Sequence, residues 1–447
     1  MFVGIDFGTS NSSIGVYRDN QLRLFDLDPG YHNPQVLPSY TYITKEQEVF
    51  VGVTAINKYL EQETGRRPLW EKRYLGETQI TVSGGKNPIV YMHDIMVDID
   101  IAARGRLMHS IKTGLQNPSY EGTQVFDQYF RIEDLIAILL RQLREKCEQS
   151  LQTDVDQVVM GRPVKFSDKP EVDARAQEKL ETAARLAGFK DIAFELEPIG
   201  GAYLYHQTQP TRQNILVFDF GGGTLDMTVM EVGGDQAPQT IATEGVLLGG
   251  DDLTSAMMGK LVNLFGQGAS LKNGLPIPSH IFEKLYNWKN MVELSKPEYS
   301  PIFKEAKEGS DPQGIERLEK LVQEKLGFTL FQELERIKIN LSSEYYNRFE
   351  FFDGALKISE LFFRSRFEDL IQDELRMVDQ AVDSVMAKSG LKDDRIQAVL
   401  RTGGSAEIPI FIERLSARFG PDRIKEINPF TTIVGGLALK GHELALA

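Results

Sequence analysis

Only one of the 447 residues is a cysteine, Cys147, so no disulfide can form within the chain. Its place on the apolar face of a predicted helix favours a buried hydrophobic residue over a reactive thiol. No apolar run approaches the roughly 18 residues that a membrane span needs, and Asp6 interrupts the first such run. The N-terminus also has no basic segment of the kind that precedes an export signal. These absences predict a cytoplasmic protein without membrane association.

Basic residues are in deficit, with 50 Lys and Arg against 64 Asp and Glu, for a net charge of −14 at pH 7. Such a balance argues against a nucleic-acid partner. The six histidines are scattered, which gives no support to a zinc site or to histidine-based nucleophilic catalysis. A P-loop and a Gly-x-Gly-x-x-Gly fingerprint are also missing. The Asp-Phe-Gly of 219–221 lacks the companion loops of a protein kinase.

An Asp-Phe-Gly motif occurs twice, at positions 6 and 219, which are 213 residues apart. Each copy ends an apolar run, passes through glycine and small polar residues, and returns to an apolar-polar alternation, a pattern typical of a β-hairpin. The separation is too long for a solenoid repeat and fits two lobes of a duplicated fold. Two facing hairpins would form a cleft in which backbone N–H groups bind phosphate and the carboxylates bind Mg²⁺.

The order of strand and helix patterns predicts an α/β fold with two lobes. Lobe I is predicted over 1–210, with the closing helix 428–447 returning to it. Lobe II is predicted over 211–427 and includes a mainly helical subdomain at about 255–345. Within lobe I we expect a helix at 133–150, a turn at Glu197 and Pro198, and a hairpin at 77–101 around Gly84 and Gly85.

Six segments together carry a family resemblance: 4–12, 197–202, 218–226, 248–253, 335–342 and 403–409. In this order they resemble the nucleotide-binding domain of the heat-shock protein 70 family, within the actin-like ATPase superfamily. The resemblance covers nearly the whole chain. It implies a duplicated actin-like (ribonuclease H-like) ATPase fold whose two lobes enclose a nucleotide cleft.

The resemblance also implies binding of ATP and ADP with Mg²⁺, followed by hydrolysis. Asp6, Asp219 and Glu197 would hold the metal, mostly through water. Thr224 would hold the γ-phosphate, and Asp219 or a water that it orients would accept the proton of the attacking water. The other nucleotide contacts that it implies are Gly8, Thr9, Ser10, Asn11, Gly221, Gly222, Gly223, Gly249, Gly250, Asp251, Glu335, Lys338, Ser342, Gly403, Gly404 and Ser405.

The family also has a lysine near the γ-phosphate, and two residues compete for this role. Lys72 matches the family better in its immediate sequence, whereas Lys112 is better spaced from the helix at 133–150. We favour Lys112, because Lys72 would leave the whole hairpin region at 77–105 beyond the catalytic lysine.

Several positions depart from the family pattern. Ile339 and Glu407 stand where the family has two arginines that sandwich the adenine, so the base selectivity is open. We expect Arg401 to compensate, since it lies two residues before Gly403. Phe430 replaces an acidic residue at the start of the closing helix.

The peptide-binding domain that follows the ATPase lobes in the family is not expected in this chain. We therefore predict a slow, chaperone-like ATP switch, monomeric, with an unidentified client or co-chaperone. A nucleotide-dependent filament protein and a sensor that binds without hydrolysis are the alternatives. A small-molecule kinase is less favoured, because no substrate-specific feature is evident.

Overall fold

The computed structural model describes residues 1–19, 21–82, 89–354, 356–427 and 431–446. The predicted turn at Gly84 and Gly85, the start of the closing helix at 428–430 and the departure at Phe430 lie outside these residues.

The first half of the chain is built around one mixed sheet with the strand order β13-β12-β1-β2-β3. β12 and β13 run parallel to β1, whereas β2 and β3 are antiparallel to their neighbours. The first-half elements, in chain order, are β1 (Phe2–Phe7), β2 (Asn11–Arg18), β3 (Gln21–Leu24), β4 (Leu37–Pro38), β5 (Tyr40–Thr44), β6 (Val49–Val51), α1 (Gly52–Gln62), β7 (Trp70–Val82), β8 (Ile89–Asp100), β9 (Gly105–His109), β10 (Gly122–Val125), β11 (Gln128–Arg131), α2 (Ile132–Leu151), β12 (Gln157–Arg162), α3 (Pro170–Leu186), β13 (Asp191–Leu196) and α4 (Glu197–Thr208).

Helix α2 packs its apolar face into the core of this half and corresponds to the predicted helix at 133–150. Leu135 and Leu139 are fully buried there. Its first turn is capped by Asp134, whose Oδ2 accepts the Arg131 N–H at 2.9 Å. Cys147 is buried in the same core, and this burial raises the pKa of the thiol to about 12. The thiol is therefore a packed hydrophobic group rather than a nucleophile.

Smaller sheets lie beyond this core. Strands β6, β5 and β9 form a three-stranded sheet, β10 pairs with β11, and β7 pairs with β8 as a two-stranded ribbon. The ribbon is longer than the predicted hairpin at 77–101, because its pairing begins with Trp70 opposite Asp100.

The second half is built around a sheet with the order β16-β15-β14-β19-β20. Its elements, in chain order, are β14 (Gln213–Phe220), β15 (Leu225–Val232), β16 (Gln239–Val246), α5 (Gly250–Leu261), α6 (Ser279–Glu283), α7 (Trp288–Met291), α8 (Ser300–Lys307), α9 (Pro312–Gln323), α10 (Gly327–Ser343), β17 (Tyr346–Asp353), β18 (Leu356–Phe363), α11 (Arg364–Leu370), α12 (Gln372–Ser389), β19 (Ala398–Thr402), α13 (Pro409–Phe419), β20 (Ile424–Glu426) and α14 (Thr432–Leu446).

The two sheets repeat one topology. In the second sheet β19 runs parallel to β14 and β20 parallel to β19, while β15 and β16 are antiparallel to their neighbours. β14 thus takes the place that β1 takes in the first sheet, and each ends in its Asp-Phe-Gly motif. The repeated motif in the sequence therefore marks a repeated fold.

Helices dominate the region between β16 and β17, in agreement with the helical pattern expected at about 255–345. The hairpin of β17 and β18 and the helices α11 and α12 were not predicted. The hairpin is held by packing, because Phe349 and Phe351 on alternate positions of β17 are buried against the helical core. No helix in the part of the chain described here combines the length and apolar character needed to cross a bilayer.

The predicted turn at Glu197 and Pro198 is wrong, because both residues belong to the first turn of α4. Proline suits this position, since a first-turn N–H has no partner within the helix. α4 packs closely against α14, with the Gly436 backbone in contact with the Gly200 carbonyl. This contact positions Glu197 at the end of the first sheet.

Candidate functional site

The two Asp-Phe-Gly hairpins close with the same turn. The Gly8 N–H donates to the Asn11 carbonyl at 3.0 Å, and the Gly221 N–H donates to the Thr224 carbonyl at 3.0 Å. The central strands β1 and β14 deliver both turns to the same cleft. The sequence repeat therefore becomes a pair of equivalent loops.

The two loops face each other at close range. A side chain on Gly222 would collide with Ser10 Oγ, and one on Gly223 would collide with the Thr9 side chain. Glycine is required here because side chains of the first loop approach the backbone of the second, rather than for an unusual φ angle. The cleft between the loops is consequently lined by backbone amides and small hydroxyl groups, a lining suited to phosphate oxygens.

A buried ion pair lies at the floor of this cleft. Lys112 Nζ donates to Glu197 Oε1 at 2.6 Å, and the two side chains are 6% and 8% exposed. Burial disfavours the ammonium, but Glu197 and Asp6 more than offset this effect and raise the pKa of Lys112. Lys112 sits in a 3₁₀ helix, Ile111–Gln116, which follows β9.

Three aspartates share the electrostatic field of this pair. Burial, and then the negative charge of Glu197, raise the pKa of Asp6 to about 7 and the pKa of Asp226 to about 7. The same two causes raise the pKa of Asp219 well above its usual range. This is an excess of carboxylates over cations in a buried place, which favours the binding of a cation.

The alternative lysine lies elsewhere. Lys72 is exposed on the ribbon, opposite Asp98 of β8. The structure thus brings Lys112, and not Lys72, to the carboxylates. The role of Lys112 beside a phosphate stays a prediction.

The segment after β16 closes the second hairpin from behind. The N–H groups of Gly250 and Asp251 each donate at 2.9 Å, to the carbonyls of Gly221 and Gly222. The Gly249 N–H is capped by Asp252 Oδ2 at 2.8 Å, which starts α5 at Gly250.

Glu335 and Lys338 lie one turn apart on α10 and meet the start of α5. Lys338 Nζ contacts Glu335 Oε2 at 2.7 Å and donates to the Gly250 carbonyl at 2.8 Å. Thr254, which was not predicted, donates to the same Oε2 and accepts from Lys338 Nζ. The sequence indicated Thr254 only through its position one turn into α5. The crossing of α5 and α10 in the fold is what brings Thr254 into contact with α10.

The turn 403–405 joins the same cluster. Gly403 has φ +82° and packs on the Phe220 carbonyl, so a side chain would be strained there. Ser405 Oγ donates to the Gly221 carbonyl at 3.1 Å. Ser342 is the exception: in the part described, its hydroxyl makes no hydrogen bond to the other predicted residues, while its carbonyl accepts from Arg364.

Two further residues were not identified as site residues from the sequence. Asp226 is 1% exposed, and its Oδ1 accepts the Val164 N–H at 2.7 Å, which joins the second hairpin to the first half. Ser110, in the left-handed region at φ +55°, donates from Oγ to Asp251 Oδ2 at 2.8 Å across the cleft. Asp226 ends the Thr-Leu-Asp that follows the second Asp-Phe-Gly motif, so it could have been identified from the sequence. Nothing in the sequence marks Ser110.

Comparison with known families matches the model of the Hsp70 protein to residues 2–275 and 313–445. The chain belongs to the Hsp70 protein family. The duplicated actin-like ATPase fold predicted from the sequence is therefore confirmed. The duplication is visible in the strand order that the two sheets share. A chaperone protein dnaK from Cyanidioschyzon merolae (strain NIES-3377 / 10D) is 24% identical over 452 residues, covering 99% of this chain. The chain spans 62% of the length of that relative.

Two departures from the Hsp70 pattern have structural consequences. Ile339 is 60% exposed on α10. Glu407 accepts from Arg401 Nη1 at 3.2 Å, and the same Nη1 also donates to the Ala406 carbonyl. The Arg401 side chain is 5% exposed and is engaged with Glu407 and the Ala406 carbonyl, and the compensating role expected for it stays a prediction.

Proposed function

We propose that this chain is a Mg-dependent ATP switch of the chaperone type, which binds ATP between the two hairpins and hydrolyses it slowly. The observation that carries the proposal is the juxtaposition of Asp6, Asp219, Glu197 and Lys112 where the two glycine loops meet. Membership of the Hsp70 family supports the same function.

The donor set at this cleft fits Mg²⁺ in chemical type. Asp6, Asp219 and Glu197 offer the hard oxygen ligands that this ion prefers. In the part of the chain described here, no group of three or more His, Cys, Asp or Glu side chains is placed to hold a metal ion directly. We therefore propose that these carboxylates hold the ion mostly through water. When bound, Mg²⁺ would neutralise charge on the phosphates and on the transition state.

Residues of the chain would bind the phosphates, supply positive charge and accept the proton. The N–H groups of 8–11 and 221–223, with Thr224, would cradle the β- and γ-phosphates. Lys112 would approach the γ-phosphate as a positive charge, held in place by Glu197. Asp219, or a water oriented by it, would accept the proton of the attacking water. Phosphoryl transfer depends mainly on such positioning and charge stabilisation.

The nucleoside would lie toward α10, with Gly249, Gly250 and Ser405 on one side and Glu335 and Lys338 on the other. We further propose that lobe I covers 1–210 with 428–447 and that lobe II covers 211–427. A protein client or co-chaperone, a monomeric state and a cytoplasmic location complete the proposal.

Calorimetric titration with ATP, ADP and GTP in Mg²⁺ tests binding, and steady-state phosphate release tests hydrolysis. We expect ATP and ADP to bind, and Asp219→Asn to abolish phosphate release while ATP still binds. Asp127→Asn is the matched control, because Asp127 is 95% exposed on the β10–β11 turn. No binding of any of these nucleotides would reject the proposal. Phosphate release that persists in Asp219→Asn would reject the role of Asp219.

A further inference from the structure

A cavity of about 260 Å³ lies between the two halves of the chain, and none of the residues of the two glycine loops lines it. The first half contributes Tyr59 of α1 and Leu107 of β9, and the second half contributes Phe328 of α10 and residues of α7. The match to the family model ends at residue 275 and resumes at 313, so α7 falls outside it. The family pattern therefore does not account for this part of the cavity wall.

Much of the wall is apolar. The Phe328 ring lies edge-on to two other rings, with its centroid 5.2 Å from that of Tyr59 and 5.0 Å from that of Trp288. Leu107, Met291 and Val292 add aliphatic surface. A cavity of about 150 Å³ is enough to hold a benzene ring. The volume found here therefore has room for a ring with a short side chain.

The carboxylate that lines this cavity is already neutralised. Glu63 Oε2 contacts both Arg66 and Lys325, while Glu63 Oε1 accepts two backbone N–H groups at 2.6 and 3.1 Å. Asp100 contacts the same two cations. The cluster thus holds two negative and two positive charges, and it gives the cavity no net negative charge.

Lys289 adds a positive charge that pairs with no carboxylate in the described part of the chain. Its Nζ donates to the His109 carbonyl at 2.8 Å and lies 5.9 Å from the centroid of the Trp288 ring. Because an ammonium has three N–H donors, two of them remain for a molecule in the cavity. Burial in this concave place, only partly offset by the charge of Asp251, lowers the pKa of Lys289. An anion beside the ammonium would favour its charged form.

The Tyr59 hydroxyl is a second available donor at the cavity. Among the described residues it has no partner, and it does not belong to the unpartnered polar atoms that are closed off from solvent. A carboxylate can accept hydrogen bonds from an ammonium and a phenol at once. An aromatic wall can also attract a cation, but the like charge of Lys289 opposes one here.

We propose that this cavity binds a small organic anion, an aromatic carboxylate whose ring packs against Phe328 and Trp288 and whose oxygens accept from Lys289 and Tyr59. A molecule bound there would contact both halves of the chain. The inference goes beyond the proposed function and does not depend on it, because none of the residues proposed to bind the nucleotide or Mg²⁺ takes part.

The test is calorimetric titration of the full chain with phenylacetate and with two compounds that carry the same ring. These are the neutral phenylacetamide and phenethylamine, a cation at pH 7. We expect saturable binding of phenylacetate. The two other compounds should bind at least about tenfold more weakly, because they lack the negative charge that would pair with Lys289.

Two variants locate the site. Lys289→Gln should weaken phenylacetate binding roughly tenfold and remove its advantage over the amide, and Tyr59→Phe should weaken it roughly threefold. Lys272→Gln, at a lysine side chain that is 67% exposed, and Tyr129→Phe, on the exposed face of β11, are the matched controls and should keep the affinity of the unaltered chain. Unchanged circular dichroism and melting temperature would show that a weakened affinity is not a folding defect.

Several outcomes would overturn the proposal. These are no saturable binding of phenylacetate, equal binding of all three compounds, tightest binding of phenethylamine, or an unchanged affinity in Lys289→Gln. The comparison of the three compounds uses the unaltered chain, so it decides the matter even if a variant does not fold.

Discussion

At the scale of single residues, burial gives the charged groups of this chain their importance. Lys112 and Glu197 are nearly inaccessible and pair with each other, so removal of Lys112 leaves Glu197 buried without a cation as its partner. The surface ion pair of Lys190 and Asp156, with a lysine that is 77% exposed, carries no such penalty.

Replacement of Lys112 by Met should therefore lower the free energy of unfolding by about 3 kcal/mol, because Glu197 is left buried without a partner. Urea unfolding followed by circular dichroism measures the change. The double variant Lys112→Met with Glu197→Gln should recover much of this loss. A single variant as stable as the unaltered chain would show that the pair is not desolvated.

Glu244 predicts a dependence of stability on pH. Burial acts to raise its pKa, but hydrogen bonds from Lys388 and Ser384 outweigh burial and lower the pKa to about 2, from an ordinary 4.5. A depressed pKa contributes stability that is complete above about 4.5 and is lost as the pH falls toward 2. The contribution is at most about 3 kcal/mol.

Glu244→Gln should remove this contribution at pH 7 and flatten the fall in stability between pH 4.5 and 2. Thermal melts over that range provide the measurement, and Glu181→Gln, in an exposed pair on α3, is the control. Parallel pH curves for the Glu244 variant and the unaltered chain would contradict the prediction.

At the scale of elements, close backbone contacts decide where helices lie. α14 approaches α4 so closely that a side chain on Gly436 would overlap the Gly200 carbonyl. Gly201, the next residue of α4, has room for a Cβ, because the nearest neighbours of an added Cβ would lie 3.8 Å away or more, at ordinary van der Waals distance. The two glycines thus differ in what they permit, although both are helical.

Gly436→Ala should destabilise the chain by about 1–3 kcal/mol, since α14 must shift away from α4. Gly201→Ala should be neutral or stabilising by up to about 1 kcal/mol through helix propensity. Melting temperatures of the two variants provide the comparison. Equal shifts of the melting temperature in the two variants would mean that the contact between Gly436 and the Gly200 carbonyl is not rigid.

At the scale of the whole molecule, a buried cluster of charges joins the two halves beyond the cleft. Lys325, between α9 and α10, contacts both Glu63 Oε2 and Asp100 Oδ2 at 2.8 Å, and Arg66 contacts both carboxylates as well. The Trp70 indole donates to Ser295 Oγ at 3.1 Å beside this cluster. These contacts join the two halves of the chain on the side away from the two hairpins.

Lys325→Met should weaken the docking of the two halves against each other by at least about 1.4 kcal/mol, a tenfold change in population, because the two carboxylates lose a buried partner. The radius of gyration from small-angle X-ray scattering should increase. Lys320→Met is the control, since Lys320 pairs with Glu324 within the same half. A Lys325 variant with an unchanged radius would show that other contacts suffice.

Much of the fold was predictable because its signals are local. The helical spacing that gives α2 and the apolar runs that end at Asp6 and Asp219 reflect which faces are buried. The hairpin of β17 and β18 was not predicted, because its alternation of apolar and polar residues lies between helical segments. The apolar positions can be recognised as a strand face only once the helical core against which they pack is known. Glu197 and Pro198 were misread as a turn because proline serves both turns and first helical turns.

The sequence by itself determined the duplicated fold, the two phosphate hairpins and the residue types at the cleft, since these depend on periodicity and on short motifs. The tertiary structure alone decided which lysine meets Glu197 and which carboxylates meet Lys325. These partners are separated by tens to hundreds of residues, and their contacts arise only from strand register and helix packing. No local pattern records them.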